Sequence, residues 1–108
     1  MRIKFIKQLF VLLILLQLAP VSAALDSARQ AELLYLLKHD CGSCHGMTRR
    51  GGLGPPLLPG NLGGRSQLLL VDTILKGRPG TPMPPWRGLL TEQEAQWLVE
   101  AMRRGDGL

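Results

Sequence analysis

The chain has 108 residues, which is enough for one small domain, and its 13 basic and 8 acidic residues give a net charge of +5. Three of the basic residues and none of the acidic ones lie in residues 1–24, so residues 25–108 carry ten basic and eight acidic residues, a net charge of +2. These remaining charges are scattered along the chain and give no support to nucleic-acid binding.

Residues 1–24 have the three-part pattern of a secretory signal. The segment starts with three basic residues among its first seven, continues with an unbroken apolar run at 9–16, and ends with small residues at 21–24. The run is shorter than the about 20 apolar residues that a membrane-spanning helix requires. We therefore predict cleavage near residue 23 or 24, with an uncleaved anchor as the alternative. The mature domain, residues 25–108, is expected to be exported and to have no stable membrane insertion.

The first predicted helix of this domain runs from Ser27 to Lys38. Asp26 or Ser27 is suited to its N-cap, and leucines recur at helical spacing along it. Asp40 and the residues that follow it are expected to mark the end of the helix.

The motif Cys41-Gly42-Ser43-Cys44-His45 follows directly. Two cysteines separated by two residues can each form a thioether to one vinyl group of a haem, and the next histidine can then bind the iron. The motif predicts one covalently attached haem c, with Cys41 and Cys44 as attachment points and His45 as an iron ligand. The alternatives are a dithiol redox site, which normally accompanies a βαβ pattern, a structural disulfide, and half of a zinc site.

A rigid segment, Gly54-Pro55-Pro56, lies a short way beyond the motif. A histidine that binds a metal usually donates its other ring N–H to an acceptor, which fixes its tautomer and orientation. The Pro55 carbonyl is a candidate for that acceptor of His45, with an ordinary loop proline as the alternative.

The second predicted helix spans Gln67–Lys76. Ser66 can cap its start, Gly77 can end it, and Leu68, Val71 and Leu75 are expected to share an apolar face. The leucine run could form a strand if taken alone, but the capping residues favour a helix.

The next segment, residues 80–86, contains the favoured candidate for a second iron ligand. Prolines flank Met83 and fix the backbone φ angle, so a weak thioether ligand would lose little entropy on binding. Met47, Met102, His39 or no side chain at all are the other possibilities, and Met83 could also pack in the loop without binding iron. Methionine and histidine together raise the potential of a haem. Three basic residues are candidates for pairing with haem propionates, with solvated positions as the alternative: Arg65, Arg78 and Arg87.

The third predicted helix, Glu92–Arg104, has the clearest pattern. Thr91 and Glu94 match a capping box, and Gly105 suits the left-handed position after the last turn. Its apolar stripe consists of Trp97, Leu98, Ala101 and Met102.

This order of segments resembles the small class I cytochrome c family. Three stretches are similar, more narrowly, to the cytochrome c55X group: residues 40–46 (Asp-Cys-Gly-Ser-Cys-His-Gly), 51–55 (Gly-Gly-Leu-Gly-Pro) and 74–86 (Ile-Leu-x-Gly-Arg-Pro-Gly-Thr-Pro-Met-Pro-Pro-Trp). The resemblance implies an all-α fold of three to four short helices around one haem, with the first and last helices crossing.

The resemblance also implies a function. It predicts a monomeric single-electron carrier in the periplasm that serves cytochrome cd1 nitrite reductase in denitrification. The alternatives are a part in the assembly or maturation of the haem d1 of that reductase, and an enzyme whose Met83 leaves the iron to admit a small ligand.

Overall fold

The computed structural model describes residues 2–15 and 24–108, and within these ranges the chain forms helices and no strand, which confirms the all-α prediction. Helix α1 is Arg2–Leu15. Residues 16–23 lie outside the described residues, and cleavage near residue 23 or 24 stays a prediction. None of the described helices has both the length and the apolar composition to span a bilayer. Six further segments follow: α2 (Ser27–Leu36), a π-helical segment (Leu37–Cys41), α3 (Gly42–His45), α4 (Pro59–Leu62), α5 (Gln67–Lys76) and α6 (Glu92–Arg104).

The sequence predicted that the first helix of the domain ends at Asp40, but the helical path continues beyond that residue. It starts as expected, because the Asp26 carboxylate accepts a hydrogen bond from the Arg29 backbone N–H at 2.7 Å. The backbone then widens into the π-helical segment and continues through α3, where the Ser43 hydroxyl donates to the Asp40 carbonyl at 2.7 Å. The helical path stops at Gly46, whose φ of 88° is accessible to glycine at little cost.

Helix α5 has the predicted bounds and the predicted cap. The Ser66 hydroxyl accepts a hydrogen bond from the Leu69 N–H at 3.1 Å, and Gly77 follows the last turn with a φ of 67°. Val71 and Leu75 are buried, but Leu68 is 76% exposed, contrary to prediction. The reason is that α5 packs on the core from Leu70 onward, so its first turn lies outside the core.

Helix α6 also has the predicted bounds, and both hydrogen bonds of the capping box are present. The Thr91 N–H donates to the Glu94 carboxylate at 2.9 Å, and the Glu94 N–H donates to the Thr91 hydroxyl at 3.1 Å. Gly105 adopts the left-handed conformation after the last turn. The apolar stripe faces the core, with Leu98, Ala101 and Met102 buried and Trp97 partly buried.

The core joins α2, the π-helical segment, α4, α5 and α6. Its buried members are Leu33, Leu37, Leu62, Val71, Leu75, Leu90, Ala95, Leu98, Val99 and Met102. Contact between the first and last helices of the domain was expected, and Leu34 and Trp97 pack at the margin of this shared core. Helix α4 is a four-residue turn that starts at Pro59 and was not predicted.

An ion pair links α2 to α6 beside this core. The Arg29 Nε lies 2.6 Å from the Glu94 carboxylate, and Arg29 Nη1 also reaches Glu32 at 2.8 Å. Hydrogen bonds from Arg29 and from the Thr91 backbone hold the pKa of Glu94 below its ordinary value. The pair therefore couples the capping box of α6 to the start of α2.

Glu94→Gln is expected to lower the free energy of unfolding at neutral pH by about 1 kcal/mol, because Gln keeps the capping box and loses the charge. A carboxyl group with a depressed folded pKa stabilises the fold above its unfolded pKa, near 4.3, and loses that contribution as the pH falls through the folded value. The variant should therefore be less sensitive to acid than the wild type, as measured by urea unfolding between pH 3 and 7.

Glu32→Gln is the matched control. Glu32 is the other carboxylate paired with Arg29, and the Glu32 side chain is 66% exposed. Its stability should change little at any pH. A loss of acid sensitivity in Glu32→Gln equal to that in Glu94→Gln would contradict this prediction.

Candidate functional site

A cavity of about 730 Å³ opens beside the core. Its volume is within the about 300–1,000 Å³ that is usual for small-molecule and cofactor sites. One wall comes from the end of the π-helical segment and α3, another from residues 53–57, a third from α5, and a fourth from residues 78–86. The side chains predicted for the site line it together: Cys41, Cys44, His45, Pro55 and Met83.

The two cysteines lie one helical turn apart across the junction of the π-helical segment and α3. Both thiols are free and partly buried. Burial raises the pKa of the Cys41 thiol to about 11, and the adjacent Asp40 adds to the shift. A dithiol redox site works through a lowered thiol pKa, so this environment disfavours that alternative.

The imidazole of His45 is held by the loop that follows α3. Its Nδ1 lies 2.7 Å from the Pro55 carbonyl oxygen. Because a carbonyl oxygen only accepts hydrogen bonds, Nδ1 bears a proton, and Nε2 is the nitrogen that has the lone pair in the neutral imidazole. The sequence singled out this contact, and its geometry leaves Nε2 available to bind a metal.

The same loop closes tightly around His45. The Gly54 N–H donates to the Cys44 carbonyl at 2.8 Å, and the Gly51 N–H donates to the His45 carbonyl at 2.8 Å. A Cβ at Gly54 would lie 2.7 Å from both Nδ1 and Cε1 of the ring, so no larger residue fits there without moving the imidazole. Sequence reasoning missed this role of Gly54, although the glycine-rich run 51–54 was a signal that the backbone approaches another group closely.

Met83 belongs to a loop whose backbone is fixed at several points. The Arg78 N–H donates to the Met83 carbonyl at 3.2 Å, and the Thr81 hydroxyl donates to the Arg78 carbonyl at 2.6 Å. At the far end, the N–H groups of Trp86 and Arg87 donate to the α5 carbonyls of Ile74 and Leu75 at 3.0 and 3.2 Å. The loop thus satisfies carbonyl groups that the end of a helix leaves without partners, and Met83 is held half-buried at the cavity.

Gly77 allows this loop to approach α5. A Cβ at Gly77 would lie 2.7 Å from the Met83 carbonyl oxygen, the Pro84 carbonyl carbon and the Pro85 nitrogen, all of which are backbone atoms. Gly77 also has a φ of 67°, which side chains disfavour. Sequence reasoning identified Gly77 as a helix end and missed this contact.

Gly77→Ala is expected to lower the free energy of unfolding by about 2–4 kcal/mol, because strain at a positive φ adds to an overlap that the loop must move to relieve. Urea unfolding gives the value. Gly80→Ala is the matched control, since Gly80 has a φ of 77° and a Cβ there meets no atom within 4 Å. It should lose only about 1 kcal/mol. Equal losses in the two variants would show that the approach of the Met83 loop to Gly77 is unimportant.

The other candidate residues fall into two groups. Met102, Arg65 and Arg78 line the cavity, although Met102 is also part of the buried core. Met47, His39 and Arg87 do not line it, and Met47 is 49% exposed. Residues 2–15 and 24–108 hold no group of three or more His, Cys, Asp or Glu side chains placed to bind a metal ion, so the zinc alternative finds no ligand set among them.

These residues fit a covalently attached haem. The cavity brings together two thiols, an imidazole with a free Nε2 and a thioether, and most of its remaining lining is apolar. The absence of a Cβ at Gly54 leaves room for the imidazole beside the loop.

Comparisons with known proteins agree with this chemistry. Residues 28–100 match the family model described as cytochrome C oxidase, cbb3-type, subunit III. Cytochrome c55X of Pseudomonas aeruginosa is 56% identical over 81 residues, which cover 75% of this chain and 68% of that protein.

The fold of this chain is also similar to those of proteins with solved structures. The c-type cytochrome NirC superposes with a TM-score of 0.74 at 54% identity, over 76% of this chain and 96% of the other. Dihydro-heme d1 dehydrogenase NirN in complex with DHE superposes with a TM-score of 0.59 at 38% identity, over 64% of this chain but 15% of that protein.

Proposed function

This chain belongs to the c-type cytochromes, within the group of small cytochromes c55X, and from that premise we propose that it is a single-electron carrier with one His/Met-ligated haem. The observation that carries the proposal is that Cys41, Cys44, His45 and Met83 line one cavity. The chain has two cysteines, which is one attachment site. A haem in this site supplies an iron that alternates between two oxidation states.

His45 and Met83 are the proposed iron ligands. The hydrogen bond to the Pro55 carbonyl, 2.7 Å from Nδ1, leaves Nε2 as the metal-binding nitrogen and orients the ring. Met83 is preorganised by its prolines and by the hydrogen bonds at Arg78, so little freedom is lost when the thioether binds. Met102, which also lines the cavity, is 4% exposed among core side chains and is needed for packing there.

Binding of the iron by both His45 and Met83 would favour electron transfer over substrate chemistry. These two side chains would leave no position for a substrate, and the protein would only have to hold them in place while the charge of the site changes. A haem held there would supply one-electron chemistry, in which one electron comes from a donor and one passes to an acceptor without any covalent bond forming or breaking. An enzyme that releases Met83 to admit a small ligand would instead need a mobile loop, whereas this loop is fixed at both ends.

The proposed acceptor is cytochrome cd1 nitrite reductase, in keeping with the membership of the cytochrome c55X group. Export through the predicted signal would place the carrier in the periplasm, where thioether attachment can be completed before it meets its partner. Weak redox encounters of this kind bury less than about 1,200 Å², which suits a small monomer that binds and leaves quickly.

A role in maturing haem d1 is the less favoured reading. The relationship to dihydro-heme d1 dehydrogenase covers 15% of that protein, a part of the size of one cytochrome domain, so it supports a shared domain and not a shared activity. Cytochrome c55X, by contrast, is matched over 68% of its length.

Rapid mixing of the reduced protein with oxidised cytochrome cd1 nitrite reductase tests the proposal. We expect the rate of carrier oxidation to reach a plateau as the reductase concentration rises. When nitrite is added, the reductase should go on oxidising the carrier. Oxidation no faster than that caused by an unrelated haem protein would contradict the proposal. Tight binding of a haem d1 precursor to the protein, combined with no electron transfer, would favour the maturation role instead.

A further inference from the structure

Arg49 is a buried charged residue that the proposed electron-transfer site does not use. The residue is 2% exposed, and its Nη1 has no hydrogen-bond partner. Its backbone has a φ of 58°, the one positive value among the described residues that are not glycine. Glycine or asparagine would adopt this turn more easily, so the turn alone does not account for an arginine here.

The guanidinium of Arg49 reaches the C-terminal turn. Its Nη2 donates to the Asp106 carbonyl oxygen at 2.6 Å. That oxygen is well fixed, because the Asp106 N–H donates to the Ala101 carbonyl at 2.9 Å and the Asp106 carboxylate accepts hydrogen bonds from Arg104 at 2.8 and 3.0 Å. The end of α6 thus gives the Arg49 side chain a rigid attachment point.

The backbone of Arg49 holds the loop that orients His45. Its N–H donates to the Gly46 carbonyl and its carbonyl accepts from the Leu57 N–H, both at 2.9 Å. These bonds close the two ends of the loop, and Pro55, whose carbonyl accepts from His45, lies between them. Arg49 is therefore connected to the His45 ring through its own backbone, the hydrogen bond to Leu57, the short backbone stretch 55–57 and the hydrogen bond at Pro55.

We propose that Arg49 is a positioning residue for His45: it ties the loop that bears the Pro55 carbonyl to the C-terminal turn, so that residues 106–108 help to fix the iron ligand. This inference rests on the proposed function, because it concerns a haem bound by His45. It gives the C-terminal turn a role beyond ending α6, since loss of the Asp106 carbonyl would loosen the same hydrogen bond as loss of the arginine.

The test is the solvent exchange rate of the His45 Nδ1 proton, measured by NMR in the reduced haem-loaded protein with ¹⁵N-labelled histidine. We expect Arg49→Met, which keeps the side-chain length, to exchange at least tenfold faster than the wild type, and Arg49→Lys to be intermediate. A chain ending at Gly105 removes the acceptor while leaving Arg49 in place, and should show the same increase. This shortened chain tests the proposal by itself if Arg49→Met does not fold.

Two controls separate this role from a general effect on stability. Asp106→Asn keeps the backbone carbonyl and a side-chain oxygen that can accept from Arg104, and should exchange at the wild-type rate. Val99→Ala loosens a fully buried core position outside the cavity, and should not speed exchange even where its melting temperature falls as far as that of Arg49→Met. Unchanged exchange in both Arg49→Met and the shortened chain, or an equal increase in Val99→Ala, would overturn the proposal. If the wild-type spectrum lacks a His45 resonance shifted by a haem, it is the proposed function that fails.

Discussion

Cys44→Ser is expected to yield a protein that does not retain haem stably and that folds poorly. The serine hydroxyl does not form the thioether, so one of the two covalent links is lost. The haem would fill a cavity of about 730 Å³ whose lining includes Leu37, Leu98 and Met102 from the core. Without the haem, these apolar side chains would lose their packing partner. A domain of this size has little stability in reserve. Haem content per polypeptide and circular dichroism measure the two effects.

Ser43→Ala is the control for this variant, because Ser43 lies between the cysteines and donates its hydroxyl to the Asp40 carbonyl. It should attach haem at the wild-type level. If the pyridine haemochrome spectrum of Cys44→Ser stays at the wild-type position, both vinyl groups of the haem are still saturated, and Cys44 is not an attachment point.

Met83→Ala is expected to keep the haem attached while lowering the reduction potential by more than about 60 mV, a tenfold change in a one-electron equilibrium constant. The thioether stabilises the reduced iron relative to harder ligands, so its removal favours the oxidised form. The vacated position should also bind carbon monoxide in the reduced protein. Potentiometric titration and a carbon monoxide difference spectrum give the two results.

Met47→Ala serves as the matched control, since Met47 is 49% exposed and lies outside the cavity lining. The reduction potential and the carbon monoxide difference spectrum of Met47→Ala should stay at wild-type values. Wild-type potential and no carbon monoxide binding in Met83→Ala would show that another group binds the iron, and Met102 would be the next residue to replace.

Local signals in the sequence were enough to predict the long helices. Ser66 at the start of α5 and the Thr91–Glu94 pair at the start of α6 satisfy backbone groups within their own turns, so no distant contact is needed to locate those helix starts. The Cys41–His45 motif is local in the same way, because its spacing alone places two thiols and an imidazole on one stretch of backbone. The contact between His45 and Pro55 followed from a general rule about histidine ligands, and the structure contains it at 2.7 Å.

The misses depend on tertiary contacts. Continuation of the helix past Asp40 requires a π-helical segment, for which apolar spacing gives no separate signal. Leu68 has the spacing of a core residue, and its exposure depends on where α5 meets the core. In the sequence, Gly54 and Gly77 cannot be told from ordinary turn glycines. Only the tertiary structure shows that the His45 imidazole contacts Gly54 and that the Met83 loop contacts Gly77. Arg49 was passed over because arginine is usually exposed.

Intact mass spectrometry of the protein, produced with haem-attachment machinery and denatured before measurement, tests the central claim most directly. We expect a red product whose mass equals the processed polypeptide plus one haem, because Cys41 and Cys44 hold the group covalently. A colourless product with the mass of the bare polypeptide would contradict the claim.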